Sequence, residues 1–307
     1  MIPTVLIPVL IQGVVPFLLI VWIILGTPLS LVGWFVRVTL VSIYLVAISL
    51  AGLWLSLPWY LPLIFGGLLM IAAILSFRRT RSGPRAPVDW VETAANALGT
   101  VVIGFIATFV STALAGRSPL PGPSLDLSFP LKGGTYLIAN GGSRELLNAH
   151  LGPLAPERAA EYAGMRRAVD IVRIDGLGRR ASGMLPRDPA SYLIFGDTVY
   201  APCPGRVVAA VDGIEDLPVP LTDREHMAGN HVLLDCSGIW ILLGHLQMGT
   251  VAVKTGDTVA LGAPLGLVGN SGNTNEPHLH VHAQRPGTPE APISGEPITV
   301  TFGGEYL

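Results

Sequence analysis

The sequence predicts a membrane α-helical bundle of about four spans followed by a mainly antiparallel β domain. Three observations carry that reading. The first 77 residues hold a single charge, Arg37. Four arginines crowd the stretch from Arg78 to Arg85 that closes the third apolar run. From Ser118 onward, short β-branched runs alternate with glycine-centred turns, and long helical periods are missing except over Ala155–Gly164.

Composition agrees with this division. Half of the 307 residues are hydrophobic and only 13% are charged, a balance that excludes an ordinary soluble chain. A net charge of −2, with no basic stretch interleaved with aromatics, excludes a nucleic-acid partner.

Apolar runs extend over about Thr4–Leu25, Leu29–Leu53 and Leu57–Leu75. Each approaches the ~20 residues that carry a helix across a bilayer. Pro8 and Pro16 interrupt the first run, which a membrane helix tolerates better than a soluble one. No basic segment precedes it and more apolar runs follow, so it does not read as a cleaved signal peptide. The arginine cluster marks the cytoplasmic side, and Leu98–Leu114 supplies a fourth span that returns the chain to the outside. Arg37, near the start of the second run, either snorkels to the inner interface or is a functional intramembrane charge. The expected organisation is a transmembrane region over 1–116, a Pro/Gly/Ser-rich linker over 117–125 and an extracytoplasmic domain over 126–307.

Strands are expected at Leu127–Leu131, Gly134–Ala139, Thr198–Ala201, Arg206–Ala210, His231–Leu234, Val251–Val253 and Thr258–Leu261. The Gly-, Ser-, Pro- and Arg-containing stretch Arg173–Phe195 reads as a mobile loop, open to a lid role. Cys203 and Cys236 either form one disulfide in an oxidising compartment or are small buried residues. In Pro277-His278-Leu279-His280-Val281-His282 the histidines recur with period two, so all three project from one strand face. Three solvated histidines are the plain alternative to a metal site. A further histidine, His245, before a neighbouring strand, favours the metal.

Here the sequence resembles the lysostaphin/LytM-type zinc metallopeptidases, which cut peptide bonds in bacterial peptidoglycan. The resemblance rests on Gly244-His245-Leu246, on V-K-T-G-D-x-V-x-x-G-x-x-x-G-x-V-G-N-S-G from Val253, and on Pro277-His278-Leu279-His280-Val281. It extends over roughly Leu146 to Arg285. Asp197 through Val208 and Gly229-Asn230-His231-Val232 resemble two further strand-and-turn segments of the family. It implies a LytM/lysostaphin (duplicated hybrid motif) fold, one Zn²⁺ ion and peptidoglycan peptides as substrate. The bilayer is a second partner, cell-wall or division-machinery proteins are further ones, and the location is the bacterial cytoplasmic (inner) membrane.

The resemblance also implies site residues. The family ligand pattern is H-x-x-x-D plus the second His of H-x-H. Asp170 matches the aspartate and His280 the third ligand, but Arg166 stands where the first histidine belongs. An arginine stays protonated and does not bind zinc. Arg166-Arg167-Ala168-Val169-Asp170, with Asn148-Ala149-His150 upstream, resembles a variant in which His150 supplies the missing imidazole. His245 and His278 match the two catalytic histidines that do not bind metal. His282 either orients the ligand shell or is a packing or solvated residue; His226 and His231 are structural.

Arg166 also leaves open a non-catalytic domain that regulates another wall hydrolase or binds the wall. The V-K-T-G-D turn resembles a biotinyl or lipoyl carrier hairpin as well, but Gly269–Asn273 offers no lysine to modify.

Overall fold

A computed structural model describes residues 2–26, 30–52, 54, 57–119, 121–152, 155–288 and 290–306. The ends of the second apolar run at Leu29 and Leu53, Leu120 of the linker, and the terminal Met1 and Leu307 lie outside them. The chain divides into two compact units, Met1–Ala115 and Gly116–Leu307.

The first unit is helical. Helix α1 (Ile2–Val9) runs through a π-helical turn at Leu10–Val14 into α2 (Val15–Leu25). Pro16 has no N–H to give to the carbonyl four residues back, and the turn before it widens instead of breaking. Helix α3 covers Leu31–Ala51, α4 Leu61–Thr80 and α5 Trp90–Gly116. Four helices, Leu6–Leu25 and then α3, α4 and α5, are long and apolar enough to cross a membrane. The fourth is longer than the 98–114 stretch because Trp90–Ala97 continues it. Large apolar side chains such as Leu63, Met70 and Phe105 face outward, as a lipid-facing surface requires.

One end of this bundle is tied by polar contacts. Ser30 caps α3 by accepting from the Gly33 N–H (3.1 Å), and its own N–H and hydroxyl donate to Glu92 Oε1 at 2.8 and 2.7 Å. The Leu31 N–H donates to the Pro84 carbonyl at 2.9 Å, and the Arg79 guanidinium donates to the Ile24 carbonyl. The Arg37 guanidinium stacks 4.4 Å from the Trp22 ring centroid. Arg37 therefore belongs to the same end as the arginine cluster.

The second unit is mostly antiparallel β. Its strands are β1 (Ser124–Leu127), β2 (Thr135–Asn140), β3 (Val169–Ile174), β4 (Thr198–Tyr200), β5 (Gly205–Val211), β6 (Asn230–Cys236), β7 (Ile239–Leu246), β8 (Thr258–Val259), β9 (Pro264–Leu267), β10 (Leu279–Gln284) and β11 (Pro297–Phe302). The main sheet runs β1-β11-β10-β7-β6-β5-β8, with β3 also on β10 and β2 on β3; β4 and β9 form a separate pair. Only β1 and β11 are parallel among the described pairs. Alternate residues of β3, β6, β7 and β10, including Ile171, Leu234, Ile241 and Leu279, fill one apolar core.

Some expected elements differ. Ala155–Gly164 is a short helix α6 (Pro156–Glu161) followed by a 3₁₀ turn at Ala163–Arg167. Val251–Val253 is no strand: Val251 and Val253 pack on the core, and Ala252 donates one hydrogen bond to Leu265. Thr258–Leu261 shortens to the two residues of β8. Arg173–Phe195, which by composition suggests a mobile loop, encloses a small core of Ala181, Tyr192 and Val219.

Cys203 and Cys236 are joined by a disulfide, so that pairing is the alternative the fold adopts. Closing a loop across 33 residues constrains the unfolded chain by about 3–4 kcal/mol in the chain-entropy account. Replacing both by serine (Cys203→Ser with Cys236→Ser) is expected to lower the thermal midpoint of the β unit, followed by near-UV circular dichroism of the full chain. An unchanged midpoint would refute that contribution.

Candidate metal centre

The central strand β10 is shared. Its N-terminal half pairs with β3, setting His280 opposite Asp170. Its other edge pairs with β7, setting His280 opposite Gly244. Residues directly opposite across a ladder project to one face, so Asp170 and His280 meet: Asp170 Oδ1 lies 3.1 Å from His280 Nδ1. Gly244 leaves the other side clear; a Cβ there would stand 3.1 Å from the Ala228 carbonyl.

Three more imidazoles converge on this pair. His278, in the approach to β10, brings Nε2 to 3.4 Å from Asp170 Oδ1. His150, on a 3₁₀ turn at Ala149–Leu151, brings Nε2 to 3.6 Å from the same oxygen. His245 packs its ring 4.7 Å from His278 and 5.6 Å from His280, centroid to centroid. It lies inside β7, not before a strand, with a backbone φ of 60°. That left-handed conformation is costly for a residue with a Cβ. Its N–H donates to the Ala228 carbonyl and its carbonyl accepts from Gly269, both at 2.9 Å.

Arg166 stays out of the centre; its guanidinium reaches toward the Leu151 carbonyl at 3.5 Å and is exposed. His282 is wholly buried beside His280, which removes the solvated alternative. His226 pairs with Asp223 at 2.6 Å, and His231 Nδ1 faces the Gly229 carbonyl at 2.7 Å.

Each converging ring is held through its other nitrogen. His150 Nδ1 meets Asn148 Oδ1 at 2.9 Å, His245 Nδ1 meets the Ser271 carbonyl at 2.8 Å, and His278 Nδ1 meets the Glu276 carbonyl at 2.9 Å. These oxygens only accept, so each Nδ1 carries a proton and each Nε2 faces inward. Asn148, itself buried, is locked by donating to the Gly142 and Ala168 carbonyls at 3.2 and 3.0 Å. Asn140 Nδ2 donates to the second Asp170 oxygen at 3.1 Å. Sequence reading gave Asn148, Asn140, Ser271 and Glu276 no role. Only Asn148, two residues before His150, left a local signal.

Among the described residues, two overlapping groups could hold a metal ion: His150, Asp170 and His280, and His245, His278 and His280, each with ligand atoms within 4.8 Å of one another. The donor set fits a zinc-type ion. Bonds of about 2.0–2.1 Å in a tetrahedron place ligand atoms roughly 3.3–3.4 Å apart, and Asp170 Oδ1 lies 3.1 to 3.6 Å from three imidazole nitrogens. His150 and His278 keep 17% and 14% of their side chains exposed against 1% for His280, so the centre opens on their side.

Electrostatics distinguish the rings. Burial pushes His245 and His282 well below the ordinary imidazole value and His150 down to about 4. Burial also works against protonated His278, but the charge and hydrogen bond of Asp170 outweigh it and hold its pKa up. Burial raises Asp170 in turn, and the surrounding imidazoles more than offset that, leaving it well below the usual carboxylate range.

Residues 193–292 match the model of Peptidase family M23. The M23 segment includes His245, His278 and His280 and begins after His150 and Asp170. Among solved structures, lysostaphin is 21% identical over 39% of this chain and 37% of its own, with a TM-score of 0.26. A zinc-containing peptidase from Vibrio cholerae is 18% identical over 43% and 48%, TM-score 0.25. A putative M23 peptidase from Pseudomonas aeruginosa is 25% identical over 45% and 57%, TM-score 0.24. The chain thus spans less than two fifths of the lysostaphin structure. No curated protein matches it.

The turn that presents His278 is clamped from the Arg173–Phe195 loop. Arg180 Nε and Nη2 each donate to a Glu276 carboxylate oxygen at 2.7 Å, a bidentate and largely buried pair. Arg180→Met strands that carboxylate and is expected to destabilise the β unit by about 3–5 kcal/mol, read from denaturant unfolding of the full chain; a change below 1 kcal/mol would refute the clamp.

The imidazole shifts also set a pH dependence for the metal-free protein. His150, His231, His245 and His282 are depressed, so the unfolded chain binds more protons as pH falls below ~6.5, and their contribution, full above that value, is lost as pH falls through their folded values, about 4 for His150. His278 is raised and acts oppositely, its contribution fading as pH rises through its folded value. Four depressed groups outweigh one raised group. The melting temperature of the chelated protein should fall between pH 6.5 and 4, and His282→Gln should flatten that slope; a melting temperature rising toward pH 4 would contradict it.

Proposed function

We propose that this chain is a membrane-anchored zinc metalloendopeptidase that hydrolyses peptide bonds in cell-wall peptidoglycan, with one Zn²⁺ held by His150, Asp170 and His280. The observation that carries the reading is the convergence of His150 Nε2 and His280 Nδ1 on Asp170 Oδ1, at 3.6 and 3.1 Å, beside a segment that matches Peptidase family M23.

When bound, zinc supplies a water of lowered pKa and polarises the scissile carbonyl. His245 and His278 are the proton-handling pair. His245, depressed by burial, is neutral near pH 7 and suited to accept a proton at Nε2. His278, held up by Asp170, is suited to donate one to the developing oxyanion or the leaving amine. Asn148 fixes the tautomer of His150, and Asn140 fixes the rotamer of Asp170. The open side at His150 and His278 admits an extended peptide.

Three features support an extracytoplasmic β unit on a bacterial inner membrane. The arginine-rich loop lies at the tied end of the bundle. Helix α5 runs 27 residues away from that end, roughly 40 Å at 1.5 Å per residue. The Cys203–Cys236 disulfide suits an oxidising compartment. The competing reading, a domain that regulates another hydrolase or binds the wall, has Arg166 as its support.

Incubating the detergent-solubilised full chain with purified sacculi separates the two. Expected are released peptide fragments with new amino termini by mass spectrometry, abolished by chelator, restored by Zn²⁺, and reduced at least a hundredfold by His150→Ala or Asp170→Ala. Zinc bound without any fragment released would favour the regulator; neither zinc nor fragments would end the metallopeptidase reading.

A further inference from the structure

His280 turns one nitrogen toward Asp170, and its other nitrogen enters a buried chain of hydrogen bonds that the proposed reaction does not use. His280 Nε2 lies 3.0 Å from His282 Nδ1, His282 Nε2 lies 3.2 Å from Gln284 Oε1, and Gln284 Nε2 donates to the Pro292 carbonyl at 2.7 Å. All three side chains have no solvent exposure. Alternation along β10 puts residues 280, 282 and 284 on one face, so the chain follows the strand for its whole second half.

The polarity of this chain is dictated from its far end. A peptide carbonyl only accepts, so the Gln284 amide must turn its NH₂ to Pro292 and its Oε1 to His282. Two close glycines leave room for it: a Cβ on Gly164 would fall on Gln284 Oε1, and one on Gly295 would lie 2.8 Å from Gln284 Nε2. The Gly164 N–H is itself held by the Ile293 carbonyl at 2.9 Å. His282 Nε2 must therefore donate. Being buried and neutral, His282 then has only a lone pair at Nδ1, and His280 Nε2 must donate to it. With its Nε2 proton held in this way, His280 turns Nδ1 to Asp170 Oδ1, 3.1 Å away, as the nitrogen that can ligate.

We propose that His282 and Gln284 are positioning residues that fix His280 in the tautomer with a free Nδ1 lone pair, and thereby set the affinity of the centre for its metal. The affinity half rests on the zinc reading above; the tautomer half does not. A partner on the distal nitrogen orients a ligating imidazole and raises its basicity, and losing such a partner typically costs 10–100-fold in affinity. His282→Gln preserves the polarity, since a second amide can accept from His280 and donate to Gln284. His282→Phe and Gln284→Leu break it.

The test uses the full chain in detergent micelles. In the chelated wild type labelled with ¹⁵N-histidine, long-range ¹H–¹⁵N spectra should show both His280 and His282 protonated at Nε2. Zn²⁺ affinity, measured by competition with a chromophoric chelator, should fall about 10–100-fold in His282→Phe and Gln284→Leu and stay within about threefold in His282→Gln, with thermal melts and His278 resonances verifying the fold. His280 without a proton at Nε2 in the wild type overturns the relay, whatever the variants do. Equal zinc affinity in all four proteins overturns its role at the metal while leaving the zinc reading intact. A wild type that binds no zinc overturns that reading instead, and the tautomers then decide the relay by themselves.

Discussion

Asp170 facing His280 across the β3–β10 ladder is the contact on which the rest of the centre depends. Side chains opposite each other on an antiparallel pair share a face, and the register of this pair is one residue from failure: a single slip would send one of the two to the opposite face. The register is protected by what lies on either side. Leu279 and Val281 point into the apolar core while His280 points out of it, and β7 grips the other edge of the same strand from Trp240 to Gly244. The core and the polar centre are two faces of one strand, so hydrophobic burial on one side holds the ligand geometry on the other.

Gathering one carboxylate and several imidazoles in a shielded site is expensive unless each polar atom has a partner. The fold answers by giving every ring a fixed acceptor. Asn148, Ser271, Glu276 and the Gln284 amide each take one ring proton directly or through His282. None of these acceptors is charged at the atom used, and the other nitrogen of each ring faces inward. A largely buried ion pair nearby, Arg180 with Glu276, lies behind the His278 turn and braces its backbone.

The helical unit follows a different logic. Its outer surface is apolar and one cluster of polar contacts gathers at one end, where Ser30, Glu92, Arg37 and Arg79 meet helix termini and neighbouring side chains. In a bilayer unpaired polar groups have no water to turn to, and grouping them at a boundary is the inexpensive arrangement.

The helices and the β character were legible because each follows from local chemistry: twenty apolar residues without charge, glycine turns, and period-two alternation in the histidine run. Five residues of the centre were also legible as a pattern, Arg166 marking where the pattern departs. What stayed hidden were the residues that act by position. Arg180 and Glu276 lie 96 positions apart, Gln284 reads as any strand-end glutamine, and the left-handed backbone of His245 has no signature in a residue type that seldom adopts it. Sequence by itself determined which groups could bind a metal and which segments could enter a bilayer, since both depend on side-chain chemistry and short periods. The tertiary structure alone decided that His150 arrives beside Asp170 and which nitrogen of each ring looks inward. Those depend on strand register and on acceptors brought from distant parts of the chain, and no local pattern encodes either.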